Sequence, residues 1–316
     1  MALLGRRRDT APRLAPELDD TELGKVRKRL VDPAASNGRT ITIAMIEQLL
    51  RASGRDWDRR AHRTALLAES TTPAFQRSWA EDRVQDPDAQ LLFAWGVLRR
   101  TMYEESPDPN EAGEAYDASV RASSLRPEDP NPWVVRLGLL RLWRRPNVEV
   151  FPLWREIVQR DRWHREAHLQ MLRYLSPREC GSRAQVVEFV DQVRHSAPPA
   201  TPTAGIELVA LVDLYRANLE HGGVEAITAG HLWTRVDAMA TLDNALANWP
   251  RQGYLNHAAA VADLNVLAYA LVQAKRTRQA SEVFGTIRGL VTAYPWNLEN
   301  GDPVGTFTNW QRRAKG

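Results

Sequence analysis

From Thr40 onward, apolar residues recur three and four positions apart, and the runs stop at proline or glycine. The stops include "SGRDW", "DPDAQ", "ESPDPNEAG", "RPEDPNP", "RRPNVEV", "APPATPT", "EHGGVE", "NWPRQG" and "AYPWNLENGDP". A spacing of three and four places apolar side chains on one face of a helix, whereas a half-buried strand needs alternation. The alternation is missing, so the chain reads as all-α. Asp86, Asp129 and Thr201 stand where helices need an oxygen acceptor for their first free N–H groups. Ahead of this region, residues 1–39 hold Pro12, Pro16 and Pro33 and little periodicity, which predicts a flexible basic arm with a short helix near Glu22–Val31.

The helical text repeats itself. A small or apolar residue, a large one, a small or apolar one and then a proline come at constant offsets. The series reads Ala238, Leu242, Ala245, Pro250. It also reads Val186, Val190, Val193, Pro198, and Ala115, Ser119, Ala122, Pro127. Val150, Trp154 and Ile157 follow the same offsets with Arg162 in the proline position, and Phe75, Trp79, Asp82 and Pro87 follow them more loosely. Small residues let antiparallel helices cross closely, and large ones fill the gaps beside the crossing. Near the C-terminus, Leu264, Leu267, Ala268 and Leu271 precede Ala280, Phe284 and Ile287 in the same sense.

These motifs resemble the tetratricopeptide repeat (TPR), over roughly residues 73–295. "GRDWDRRAHRTALLAES", "HREAHLQMLRYL" and "PWNLENGDPVGTF" are also similar to stretches of TPR-like proteins of high-GC bacteria. The resemblance implies a right-handed α-solenoid of irregular helical hairpins, forming a single domain over 40–316 and closed by a C-terminal capping helix near Gly305–Ala314. It further implies a concave groove lined by first helices, with Arg141, Arg173, Asn265, Tyr269 and Gln273 facing a protein or peptide partner. The expected function is that of a scaffold or adaptor.

Other readings meet less support. The stretch "LWRRPNVEVFPLWREIVQRDRWHREAH" sets Trp143, Trp154 and Trp163 among arginines, a composition that could stack and neutralise a nucleic acid. Trp154 and Trp133, however, fall in large positions of the repeat, and His168 occupies the position equivalent to Trp133. That favours packing between helices. The nucleic-acid alternative rests on Arg6, Arg7, Arg8, Arg27, Lys28 and Arg29, but the net charge is only +3. Arginine outnumbers lysine heavily, in step with abundant alanine and scarce isoleucine, as GC-rich coding sequence produces.

His164 and His168 share a helix face at metal-ligand spacing, but the third ligand would have to come from Cys180 or His195. The packing address of His168 weighs against a metal. No phosphate loop, dinucleotide fingerprint or nucleophile elbow occurs, so no catalytic residue and no cofactor is nominated. With one cysteine there is no internal disulfide, and no apolar run approaches the ~20 residues that cross a bilayer. A cytoplasmic location is expected.

Overall fold

The computed structural model describes residues 11–32, 38–103 and 108–315. It contains seventeen α-helices among these residues, and one pair of two-residue strands. Its contacts cluster in two compact units, one of Asp20–Thr203 and one combining the residues up to Asp19 with Ala204 onward. The described part of the arm expected over residues 1–39 contributes residues 11–19 to the second of these and residues 20–32 to the first.

The Asp20–Thr203 unit comprises α1 (Thr21–Val31), α2 (Arg39–Arg51), α3 (Trp57–Glu69), α4 (Pro73–Asp82), α5 (Pro87–Thr101), α6 (Pro109–Leu125), α7 (Asn131–Leu142), α8 (Asn147–Arg160), α9 (Arg165–Tyr174) and α10 (Arg183–Ser196). Several prolines start helices rather than end them. Pro73, Pro87 and Pro109 sit in first turns behind Thr72, Asp86 and Asp108, whose side chains accept first-turn N–H groups. Proline lacks an N–H that would be unpaired there anyway. Asp86 caps as expected and Asp129 accepts from Asn131 N, but Thr201 caps nothing, because the next helix begins at Ile206.

Helices α3, α5, α7 and α9 pack in succession, and the first turn of α3 also meets the first turn of α9. This inner row is filled. Every residue of α5 from Asp88 to Leu98 and of α7 from Asn131 to Arg141 is buried. Gly138 permits this closeness: a Cβ there would lie 2.8 Å from a Leu98 methyl. On α6, α8 and α10 only one stripe is buried. It comprises Ala115, Ser119 and Ala122, then Val150, Leu153 and Ile157, then Phe189 and Val193.

Polar groups buried at the N-terminal ends of the inner row are paired with one another. Arg60 of α3 donates from Nε to Asp129 Oδ2 at 3.0 Å, from Nη1 to the Leu50 carbonyl at 2.8 Å, and from Nη2 to Asp88. One turn on, Arg63 donates to Asp20 and to the Leu49 carbonyl at 2.7 Å each. Two guanidinium groups thus cap carbonyl oxygens at the C-terminal end of α2, where positive charge also meets the negative end of the helix dipole.

The other unit comprises β1 (Arg13–Leu14), α11 (Ile206–His221), α12 (Gly223–Thr228), α13 (Val236–Asn248), α14 (Ala260–Gln273), α15 (Thr277–Ile287), β2 (Leu290–Val291), α16 (Asn297–Asn300) and α17 (Pro303–Lys315). A 3₁₀ turn covers Ala229–Thr234. β1 pairs in parallel with β2, and Ala15 and Leu18 are buried, so residues 13–18 are held by packing rather than loose. Helices α14 and α15 form the hairpin read from the sequence, with Leu264, Leu267, Ala268, Leu271, Ala280, Phe284 and Ile287 all buried. α17 closes against α15 through Phe307, whose ring meets Phe284 at 4.9 Å.

Replacing Arg60 by alanine leaves Asp88 and Asp129 buried with their main cation gone. Removing one partner of a buried ion pair costs about 3–5 kcal/mol. A urea titration of Arg60→Ala should show its midpoint lowered accordingly. A loss under 1 kcal/mol would mean that the cluster contributes little.

Candidate functional site

The arginine- and tryptophan-rich stretch is an interior for half of its length. Trp154 meets His168 edge-on at 4.9 Å and Phe189 at 5.8 Å, while Trp163 stacks on His168 at 6.3 Å. Trp133 is buried, with the Arg160 guanidinium 3.8 Å from its ring centroid and Arg136 at 4.8 Å. Several of the arginines are engaged. Arg145 forms a two-pronged pair with Glu149 at 2.9 and 2.7 Å, and Arg160 pairs with Glu156 at 2.7 Å.

The histidine pair is likewise structural. His164 Nδ1 accepts from Ala167 N at 3.3 Å, and its Nε2 lies 3.2 Å from Asn131 Oδ1, to which it donates. Both ring nitrogens are therefore used. His168 Nδ1 donates to the His164 carbonyl at 2.9 Å, which turns this ring into the aromatic cluster. His195 Nδ1 donates to the Asp191 carbonyl, Cys180 is exposed, and no group of three or more metal-ligating side chains forms among the described residues. Burial also raises the carboxyl pKa of Asp58, which lies 3.9 Å from His164.

Three of the five residues expected to face a groove are buried. Arg141 donates to Gln170 at 2.7 Å and to Glu179, and burial lowers its pKa. Asn265 has no exposed surface. Its Nδ2 donates to the carbonyls of Val261 and Leu290, and its Oδ1 accepts from Trp296 Nε1 at 2.8 Å. Tyr269 packs edge-on to Trp296 at 5.4 Å, and burial raises its phenol pKa. Gln273 is half-buried between Tyr215 and Glu299, and Arg173 is likewise half-buried, 3.9 Å from Glu166. The stripe on α14 does exist, but the segment 290–299 of the same chain covers it. Of the expected nucleic-acid contacts, Arg27, Lys28 and Arg29 lie on α1, whereas Arg6, Arg7 and Arg8 fall outside the described residues.

The concavities lie elsewhere. In the unit that begins at Asp20, Tyr116 and Asp117 of α6, Leu140 of α7, Trp143 just beyond α7, and Arg145 and Glu149 border a notch of about 480 Å³. The rings of Tyr116 and Trp143 are 6.2 Å apart and tilted by 33°. Gly113 also lines the notch and faces open space. Arg136, one turn before Leu140 on α7, is buried, and burial lowers its pKa. Val120 on α6 and Val148 and Phe151 on α8 are also exposed, Val148 by 76%. In the other unit, a cleft of about 610 Å³ has an apolar floor of Trp249, Leu255, Val261 and Leu264 and a rim that includes Arg251 and Glu282.

The sequence pattern sets Trp143 among arginines and does not single out Tyr116 or Asp117. The available signal was Trp143 lying off every apolar stripe, immediately after a helix. No helix of the described residues is long and apolar enough to cross a membrane. Comparison with protein-family models, with curated proteins and with solved structures finds no match for this chain.

Burial pushes the His168 pKa down from 6.5 to about 4. Between these values the unfolded chain binds a proton that the folded chain refuses. Stability is therefore full above about pH 6.5 and falls as pH drops toward 4, by roughly 3 kcal/mol from this group. Urea titrations of the wild type and His168→Gln at pH 7.5 and 4.5 should show a smaller loss in the variant; equal losses would assign the pH dependence to other groups.

Proposed function

We propose that this chain is a protein- or peptide-binding scaffold of the cytoplasm, built from TPR-like hairpins in a right-handed solenoid. The hairpin reading draws support from the pairing of α5 with α6, α7 with α8, and α14 with α15, and from small residues such as Ala115 and Ala122 at the crossings. One observation carries the binding function. The outer helices α6 and α8 hold Val120, Val148 and Phe151 exposed, and α6 and the turn after α7 hold the half-open rings of Tyr116 and Trp143. Read together as one surface, such apolar exposure marks an interaction site, because water is excluded when a partner covers it. The inner row is filled, so the proposed partner surface is on the outer helices rather than in a groove of first helices.

The test is affinity capture from native extract on wild type and on a Trp143→Ala/Val148→Asp double variant, with nuclease-treated and untreated halves. The expected result is a small set of proteins retained after nuclease, insensitive to salt between about 50 and 200 mM, and reduced at least tenfold by the double variant. Recovery that disappears with nuclease and weakens steeply with salt would replace this reading by a nucleic-acid one.

A further inference from the structure

We propose that the Tyr116–Trp143 notch binds an extended, proline-containing segment of a partner protein with a basic residue at one end. This rests on the protein-binding reading and names the class of ligand. Four features of the notch point to such an occupant.

It is walled by two aromatic rings over Leu140, which suits proline rings because they are apolar, rigid and shallow. One polar group at the rings is an unmatched donor. The Trp143 Nε1–H makes no hydrogen bond among the described residues, and Trp143 is 37% exposed. A polyproline II segment has no internal hydrogen bonds and presents its carbonyl oxygens to the side. A helix uses those same carbonyls internally and would leave this donor unmet.

Charge sets the direction. Arg145 and Glu149 neutralise each other on the rim. Asp117 is exposed on the α6 side and makes no ion pair among the described residues. A lysine or arginine flanking the proline core would meet Asp117, and an acidic flank would be repelled. The notch, at about 480 Å³, takes a few residues of extended chain rather than the several turns of a docking helix.

The experiment pans the full chain against phage-displayed ten-residue peptides with a fixed Pro-x-x-Pro core and random flanks, beside a fully random library. Enriched peptides are then synthesised with a fluorescent label and titrated by anisotropy. Peptides with a basic flank should be enriched, with affinity reduced at least tenfold by Trp143→Ala and less by Trp143→Phe, which keeps the wall but lacks the donor. Asp117→Lys should reverse the flank preference from basic to acidic, a change that mere misfolding would not produce. No enrichment over the Trp143→Ala background, or enriched peptides without proline, would overturn the proposal. If capture from extract depends on Trp143 while no proline peptide binds, the scaffold reading stands and this assignment falls.

Discussion

The Arg60 guanidinium is the interaction on which the Asp20–Thr203 unit depends. It reaches the carbonyl end of α2 and, through Asp88 and Asp129, the starts of α5 and α7. Asp129 in turn holds the Asn131 side chain at 2.8 Å, and Asn131 meets His164 at the start of α9. Charges so deeply placed are tolerated only when each is matched, because desolvation otherwise outweighs their attraction. The matching therefore specifies which helix starts must converge. Apolar packing along the inner row has no such selectivity, since leucines and valines accept many registers.

This convergence has a consequence for function. The four inner helices meet through their first turns, and two of them are buried on every side. The outer helices α6, α8 and α10 bury a single stripe each and leave the rest of their surface accessible. The α14 stripe follows the same logic by a different route. Asn265 and Tyr269 have polar atoms at helical spacing, as a groove would need, and Trp296 of the same chain meets them.

Much of the architecture was legible in the sequence because helix periodicity depends on local spacing. The second-helix stripes at Ala115–Ala122, Val150–Ile157 and Ala238–Ala245 are buried where the offsets put them, with Ser119 and Leu242 between. Trp133, Trp154 and His168 also took the packing roles that their repeat positions implied. Two short contacts hold the described part of the arm: a two-residue strand pairing at Arg13–Leu14 and the Asp20 carboxylate bound by Arg63. Neither leaves a periodic trace. The notch was not legible, since its side chains come from α6, α7, the turn after α7, and α8.

The sequence by itself determined that the chain is helical, where most of its helices begin and end, and which stripe turns inward on α6, α8, α13 and α15. These follow from backbone capping and from the 3.6-residue period, both local. On α10, Phe189 and Val193 are buried rather than Val186 and Val190. Only the tertiary structure decided the fate of the polar residues between the stripes. Arg60, Arg141 and Asn265 read like solvent-facing groups, yet they are buried because partners distant in sequence take up most of their donors, with Arg141 Nη2 left unmatched. Periodicity can say that a position lies off the apolar stripe. Whether water or another side chain meets it depends on which helices come together.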